Sequence, residues 1–87
     1  MTVVESLREE LEVIRKRKGT ETLALIKKAV DGGITVHMTV RSQPENRFAD
    51  RMMQQLLREK YAMVKVISVV EASPSDCLIV DFEDICG

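Results

Sequence analysis

His37 and Cys77 are the two residues in this chain whose types suit nucleophilic catalysis, because a thiol becomes reactive when a neighbouring base accepts its proton. His37 is the only histidine in the sequence. We expect both side chains on the sheet face that points away from the core, where a contact across adjacent strands is geometrically possible. The sequence supplies no third group to orient such a pair. We therefore interpret His37 as a surface or interface histidine beside a packed thiol, and predict a protein without enzymatic activity.

A group of carboxylates near the end of the sequence has the ligand type that divalent cations prefer. Asp81 and Glu83 share one face of a predicted strand, Asp84 follows them, and Glu71 lies across a predicted hairpin. Calcium-binding loops also need a defined order of ligands around a turn glycine, and this segment lacks one. We therefore predict neither a metal site nor a cofactor, and interpret the segment as a solvated acidic tail.

Four consecutive basic residues form a basic patch, namely Arg15, Lys16, Arg17 and Lys18. Such a patch can contact phosphates, so nucleic-acid binding through residues 15–18 is an alternative function. No aromatic residue is interleaved with the patch to stack on bases. Positive charge is also favourable at the C-terminal end of a helix, so the patch has a structural explanation as well.

The composition is that of one small globular domain of 87 residues. The net charge of −1 predicts neither nucleic-acid nor membrane binding, and no apolar run approaches the roughly 20 residues of a membrane helix. Residues 1–41 carry eight basic and six acidic side chains, whereas residues 42–87 carry five and eight. The N-terminus lacks the pattern of a secretory signal. Two cysteines make no disulfide framework, so we expect two thiols in a reducing cytoplasm.

Two helices are predicted at the start of the chain. The first begins with a capping box formed by Thr2 and Glu5 and ends near Lys18, with Gly19 as its C-cap. Its apolar residues form a narrow seam at heptad spacing, and they are Val4, Leu7, Leu11 and Ile14. The second helix begins after Thr20 or Thr22 and runs to about Val30. One long helix broken at Gly19 is the alternative, but the caps favour two helices.

The rest of the chain predicts a strand, a helix and two further strands. Apolar and polar residues alternate over 34–41, which indicates a strand with one buried face. Pro44 starts a third helix that ends near Lys60 and is expected to be the best-defined core helix. Its apolar stripe is Phe48, Ala49, Met52, Met53, Leu56 and Leu57. Residues 63–71 form a second strand whose faces are hard to assign, and a third strand runs from about Cys77 to Phe82.

The third helix connects the first two strands with a right-handed crossover and covers one sheet face. The third strand is expected to fold back from the second as a hairpin, through a turn at 72–76. Because the third strand is the most uniformly apolar, we place it centrally, in the order 1-3-2 with antiparallel neighbours; the order 1-2-3 is the alternative. The prediction is a single α+β domain over residues 1–87, with an N-terminal amphipathic helix (1–19) and a helix plus βαββ core (20–87).

Two apolar surfaces exceed what this fold needs for its own core. One is the seam of the first helix, which suits another helix. The other is the outer sheet face near Ile79, which is covered by the first helix or else by a second copy or another protein. The first or second strand would also offer a free edge. We therefore predict a protein-binding module, an inhibitor, adaptor or assembly factor, that forms a homodimer and binds through Val4, Leu7, Leu11, Ile14, Ile79 and His37.

Overall fold

The structure is a computed structural model that describes residues 2–71 and 76–86. Its helices are α1 (Val3–Lys16), α2 (Thr22–Asp31), α3 (Gln43–Leu56) and α4 (Glu83–Cys86), and its strands are β1 (Val36–Val40), β2 (Val64–Ser68) and β3 (Leu78–Asp81). The α+β class and the order of the six predicted elements are confirmed. The short helix α4 lies where we predicted only an acidic tail. The predicted turn at 72–76 lies outside the described residues, except for Asp76.

The two long helices α1 and α3 begin as their sequences indicate. The Thr2 hydroxyl accepts a hydrogen bond from the Glu5 backbone N–H at 3.1 Å, and the Ser42 hydroxyl accepts one from the Glu45 N–H at 3.3 Å. Each bond satisfies a backbone donor that has no partner within the first helical turn. The start of a helix is therefore set here by residues that are close in sequence.

α1 ends two residues earlier than predicted, and Lys18 rather than Gly19 makes its terminal turn. Lys18 has a φ of 52°, in the left-handed region. The Lys18 N–H donates to the Arg15 carbonyl at 3.1 Å, and the Gly19 N–H donates to the Ile14 carbonyl at 2.9 Å. These two bonds form a Schellman motif. α1 and α2 are therefore separate helices, as predicted, but Glu21 rather than Thr20 or Thr22 is the N-cap of α2, and its side chain makes no cap hydrogen bond.

The predicted strand order needs correction. The observed order is β2-β1-β3, and both pairs are parallel. Neither 1-3-2 nor 1-2-3 is therefore present, and β2 and β3 do not form an antiparallel hairpin, because β1 lies between them. Apolar content misled the prediction, since β1 carries polar side chains on one face and still takes the centre.

β1 can occupy the centre because the polar side chain of Thr39 finds a partner in the sheet. The Thr39 hydroxyl donates to the Asp81 carboxylate of β3, and Thr39 is buried. A buried polar group that is hydrogen-bonded carries little energetic penalty. β2, by contrast, exposes Lys65, and a charged side chain is common on an edge strand.

All three long helices contribute to one hydrophobic core against the inner face of the sheet. α3 packs on β1 and β2, α1 packs on β3, and α2 packs on α1 and β1. The strand residues of this core are Val36, Met38, Val40, Val64, Leu78 and Val80. None of the helices in the described part of the chain is long and apolar enough to cross a bilayer.

Candidate functional site

The predicted seam of α1 lies inside the molecule. Leu7, Leu11 and Ile14 are buried in the core, and Val4 is half-buried. Because α1 packs on α2 and β3, these side chains already contact the chain's own residues. The seam therefore covers the inner sheet face within one molecule, and it is not an exposed surface for a partner.

The structure brings His37 and Cys77 together on the outer face of the sheet. The Cys77 Sγ lies 3.5 Å from the His37 Nδ1, and Ile79 is the neighbour of His37 on β3. His37 and Ile79 are half-buried, and Cys77 is only 4% exposed. The Cys77 carbonyl also accepts a hydrogen bond from the Arg8 guanidinium at 3.2 Å. The pair predicted as geometrically possible does form, with its thiol packed and poorly accessible.

The chain closes much of both sheet edges itself. On β3, the Asp81 N–H donates to the Asp84 carboxylate at 2.7 Å. On β2, the Val64 N–H donates to the Tyr61 carbonyl, and the Ser68 N–H donates to the Glu71 carboxylate at 3.1 Å. Strand pairing across a two-fold axis needs such N–H groups to be free. The first strand is central, so its predicted edge does not exist, and the edge of β2 is blunted.

The basic patch is neutralised only in part, and one of its arginines binds the acidic segment. Arg15 binds the Asp84 carboxylate through two hydrogen bonds of 2.9 and 2.7 Å, and it also contacts Glu12 at 2.8 Å. Arg17 binds Glu21 at 2.8 Å, whereas Lys16 and Lys18 are exposed and make no ion pair with a described residue. The patch is thus split between two bound and two solvated charges.

The pKa of Asp84 shows what this pairing does. Burial on its own raises the pKa of the carboxyl group, but hydrogen bonds from Arg15 and from the Asp81 backbone, together with the Arg15 charge, outweigh burial and lower the pKa. The hydrogen bonding of the Arg15 guanidinium to the Asp84 carboxylate also raises the pKa of Arg15. Within the described residues, no group of three or more His, Cys, Asp or Glu side chains is placed to share a metal ion.

α3 carries the surface that the sequence interpretation missed. Only Ala49 and Met53 of its apolar residues are buried, whereas Phe48 is 55% exposed, Leu56 is 41% exposed and Met52 is half-buried. Spacing of four residues places these three side chains in one stripe along the helix. Beside it runs a second stripe of exposed side chains. We call the two stripes, together with Arg58 in the turn just after the helix, the α3 surface, and its residues are Phe48, Met52, Leu56, Arg47, Arg51 and Arg58.

The arginines of the α3 surface make no ion pair with any described acidic residue, although carboxylates lie near them in sequence. Asp50 accepts hydrogen bonds from the Tyr61 hydroxyl and from the Gln54 amide. The Asp50 carboxylate raises the pKa of Tyr61, because it stabilises the protonated hydroxyl. Asp50 is therefore engaged towards Tyr61 and Gln54. Positive charge accumulates on one side of α3 as a result.

Phe48 is held in place from the other side by an aromatic contact. Its ring meets the ring of Phe82 edge-to-face, with centroids 6.0 Å apart and an interplanar angle of 82°. Phe82 follows directly after β3. The next residue, Glu83, forms an ion pair of 2.8 Å with Arg41, which follows β1. Half of the Phe48 side chain is thus fixed against the body of the protein while the other half faces solvent.

One sequence signal could have indicated the α3 surface. Arg51 has no acidic residue three or four positions away, since these positions are Arg47, Phe48, Gln54 and Gln55. Such positions are the ones that form ion pairs along a helix.

No protein-family model matches the chain, and no match was found among the curated proteins or the solved structures, so the α3 surface is assessed by its geometry and charge alone.

Proposed function

We propose that this chain is a small non-enzymatic protein-binding module that self-associates and acts by occupying a partner surface, as an inhibitor, adaptor or assembly factor does. The observation that supports the proposal is the exposed apolar stripe of Phe48, Met52 and Leu56. Aromatic residues, Met and Arg are the types enriched at protein interfaces, and the α3 surface consists of them and one Leu. With the seam of α1 buried and His37 and Ile79 half-buried, the α3 surface carries the proposal.

The energetic argument concerns the apolar area that remains in water. Removing apolar surface from water stabilises an association by roughly 25 cal/mol per Å². Phe48 needs little further ordering, because its ring is already held by Phe82. A side chain that is fixed before binding loses less conformational entropy on binding.

The proposal also keeps the expectation of a reducing cytoplasm, where Cys77 and Cys86 stay as thiols.

Sedimentation velocity over a range of concentrations tests the proposal. We expect the wild-type mass to rise with concentration from the monomer value of 9.9 kDa towards twice that value. The double variant Phe48→Ser/Leu56→Ser should stay monomeric. Val3→Ser/Val70→Ser is the matched control, because it removes two apolar side chains that are at least as exposed and lie elsewhere. A wild-type protein that is monomeric at every concentration would contradict the proposal.

The thiol pair provides a separate test of the non-enzymatic part of the proposal. In a Cys86→Ser variant, we expect Cys77 to react with iodoacetamide at neutral pH only when the protein unfolds, since its thiol is packed. Rapid alkylation of the folded protein that is lost in His37→Ala would instead support an activated thiol and contradict this part of the proposal.

Nucleic-acid binding through residues 15–18 is the alternative proposal. Its support is reduced to the exposed Lys16 and Lys18, because Arg15 and Arg17 are bound to carboxylates. If the alternative holds, the wild type is retained on immobilised DNA or RNA at low salt, and Lys16→Gln/Lys18→Gln elutes at a lower salt concentration. Absence of retention for the wild type eliminates the alternative.

A further inference from the structure

We infer that the α3 surface docks into the groove between α1 and α2 of a second copy of this chain. The inference rests on the proposed self-association and names the two surfaces that meet. It follows from three properties of the molecule, which are the shape of the groove, the charge around it and the positions of the two surfaces on one helical layer.

The groove between α1 and α2 offers space for an apolar side chain. The groove is open to solvent and has a volume of about 520 Å³, and its apolar lining is Val13, Ile14, Ala24 and Leu25. Val13 is as exposed as Phe48, at 55%. An exposed apolar ring on one helix and an open apolar groove between two others are complementary in shape. Docking would therefore remove the Phe48 ring and the apolar lining of the groove from water at once.

The charges around the groove are opposite to those of the α3 surface. Three glutamates line the groove, namely Glu9, Glu10 and Glu21. The basic residues of the groove are already engaged, because Lys28 binds Glu10 at 3.0 Å and Arg17 binds Glu21 at 2.8 Å. Glu9 makes no ion pair with a described residue. Because Glu12, one turn further along α1, already binds Arg15, Glu9 is the carboxylate of the groove that is left to face the arginines of the α3 surface.

The positions of the two surfaces allow both contacts to form in one closed dimer. α3 packs on β1 and β2, whereas α1 packs on β3, so the helices that carry the two surfaces lie over different strands of the sheet. A two-fold rotation that stacks two such layers places α3 of each copy against the groove of the other. An isologous interface requires this reciprocity, and it closes at two subunits.

Charge reversal tests the inference directly, with dimer dissociation measured by sedimentation equilibrium. We expect Arg51→Glu and Glu9→Arg each to weaken the dimer at least ~10-fold, because each places like charges opposite one another. An equimolar mixture of the two single variants should dimerise with near wild-type affinity. In a mixed dimer, one contact has both charges reversed and the other has both native charges. Lys65→Glu, on the outer sheet face, is the control and should not change the affinity.

The outcomes separate this inference from the proposed function. If Phe48→Ser/Leu56→Ser abolishes the dimer but Glu9→Arg does not weaken it, the α3 surface binds elsewhere, so the inference is wrong and the proposed function stands. If the single variants weaken the dimer but their mixture stays monomeric, the two residues do not face each other and the inference is also wrong. A monomeric wild type overturns both. Circular dichroism and thermal unfolding of each variant confirm that its fold is unchanged.

Discussion

α1 and α3 have the same length and the same kind of start, yet they use their apolar residues differently. Each is 14 residues long, with a hydroxyl cap at Thr2 or Ser42. α1 buries the central residues of its seam, including Leu11, whereas α3 leaves Phe48 and Leu56 exposed. An amphipathic pattern therefore indicates that a helix has an apolar side, but not how much of that side the fold covers.

The width of the apolar side explains the difference. The seam of α1 is narrow and lies between α2 and β3, so its neighbours cover all of it except Val4, which is half-buried. The apolar residues of α3 extend over a broad arc, and α3 packs mainly on β1 and β2. A three-stranded sheet with short strands offers too little surface to cover that arc. The remainder of the arc is the α3 surface.

The largest expected effect comes from a matched pair of leucine substitutions. Leu11→Ala should lower the free energy of unfolding by about 3 kcal/mol, because Leu11 is 2% exposed and its removal leaves a cavity. Leu56→Ala should lower the free energy of unfolding by no more than about 1 kcal/mol, since the Leu56 side chain is already partly in water. Urea unfolding of both variants measures the difference. Equal losses would show that α1 and α3 do not differ in the way described here.

The next effect concerns the ion pair that joins α1 to α4, which has no counterpart on α3. Asp84→Asn should lower the free energy of unfolding by about 1–2 kcal/mol at neutral pH, because the Asp84 side chain is 11% exposed and holds Arg15 through two hydrogen bonds. Arg51→Gln on the α3 surface should change the free energy of unfolding by less than ~0.5 kcal/mol. If both variants unfold at the same urea concentration, the pair contributes no measurable stability.

The contribution of Asp84 should depend on pH in a defined direction. The folded state lowers the pKa of Asp84, so the folded carboxyl group stays ionised at pH values where the unfolded one is protonated. The stabilisation is therefore fully present above the unfolded pKa of about 4. It is lost as pH falls through the lower folded pKa. Unfolding of wild type and Asp84→Asn between pH 7 and pH 2 should show curves that converge with falling pH.

A smaller effect is expected where α1 ends. Lys18→Gly should stabilise the protein by about 1 kcal/mol, because Lys18 has a φ of 52° and glycine adopts this region without steric cost. α3 ends without such a residue, since Leu57 has a φ of −129°. The same change at Leu57 should therefore not stabilise. Thermal unfolding distinguishes the two outcomes, and a Lys18→Gly variant that is less stable would contradict the strain at Lys18.

Local features of the fold were predictable, and the pairing of its strands was not. The cap at Thr2, the start of α3 near Pro44 and the alternation around β1 depend on residues that are near in sequence, and all three were predicted correctly. The order β2-β1-β3 depends on contacts such as Thr39 with Asp81, which are 42 residues apart. A sequence pattern contains no information about which distant polar groups will satisfy each other.

The sequence by itself determined the element types, the α+β class and an excess of apolar residues over what so small a chain can bury. Only the tertiary structure decided which apolar residues those are. It buried the seam of α1, placed His37 beside Cys77, and left Phe48 and Leu56 outside beside arginines that make no ion pair with a described residue. The physical reason is that helix and strand formation follow local spacing, whereas burial depends on how much surface the neighbouring elements offer.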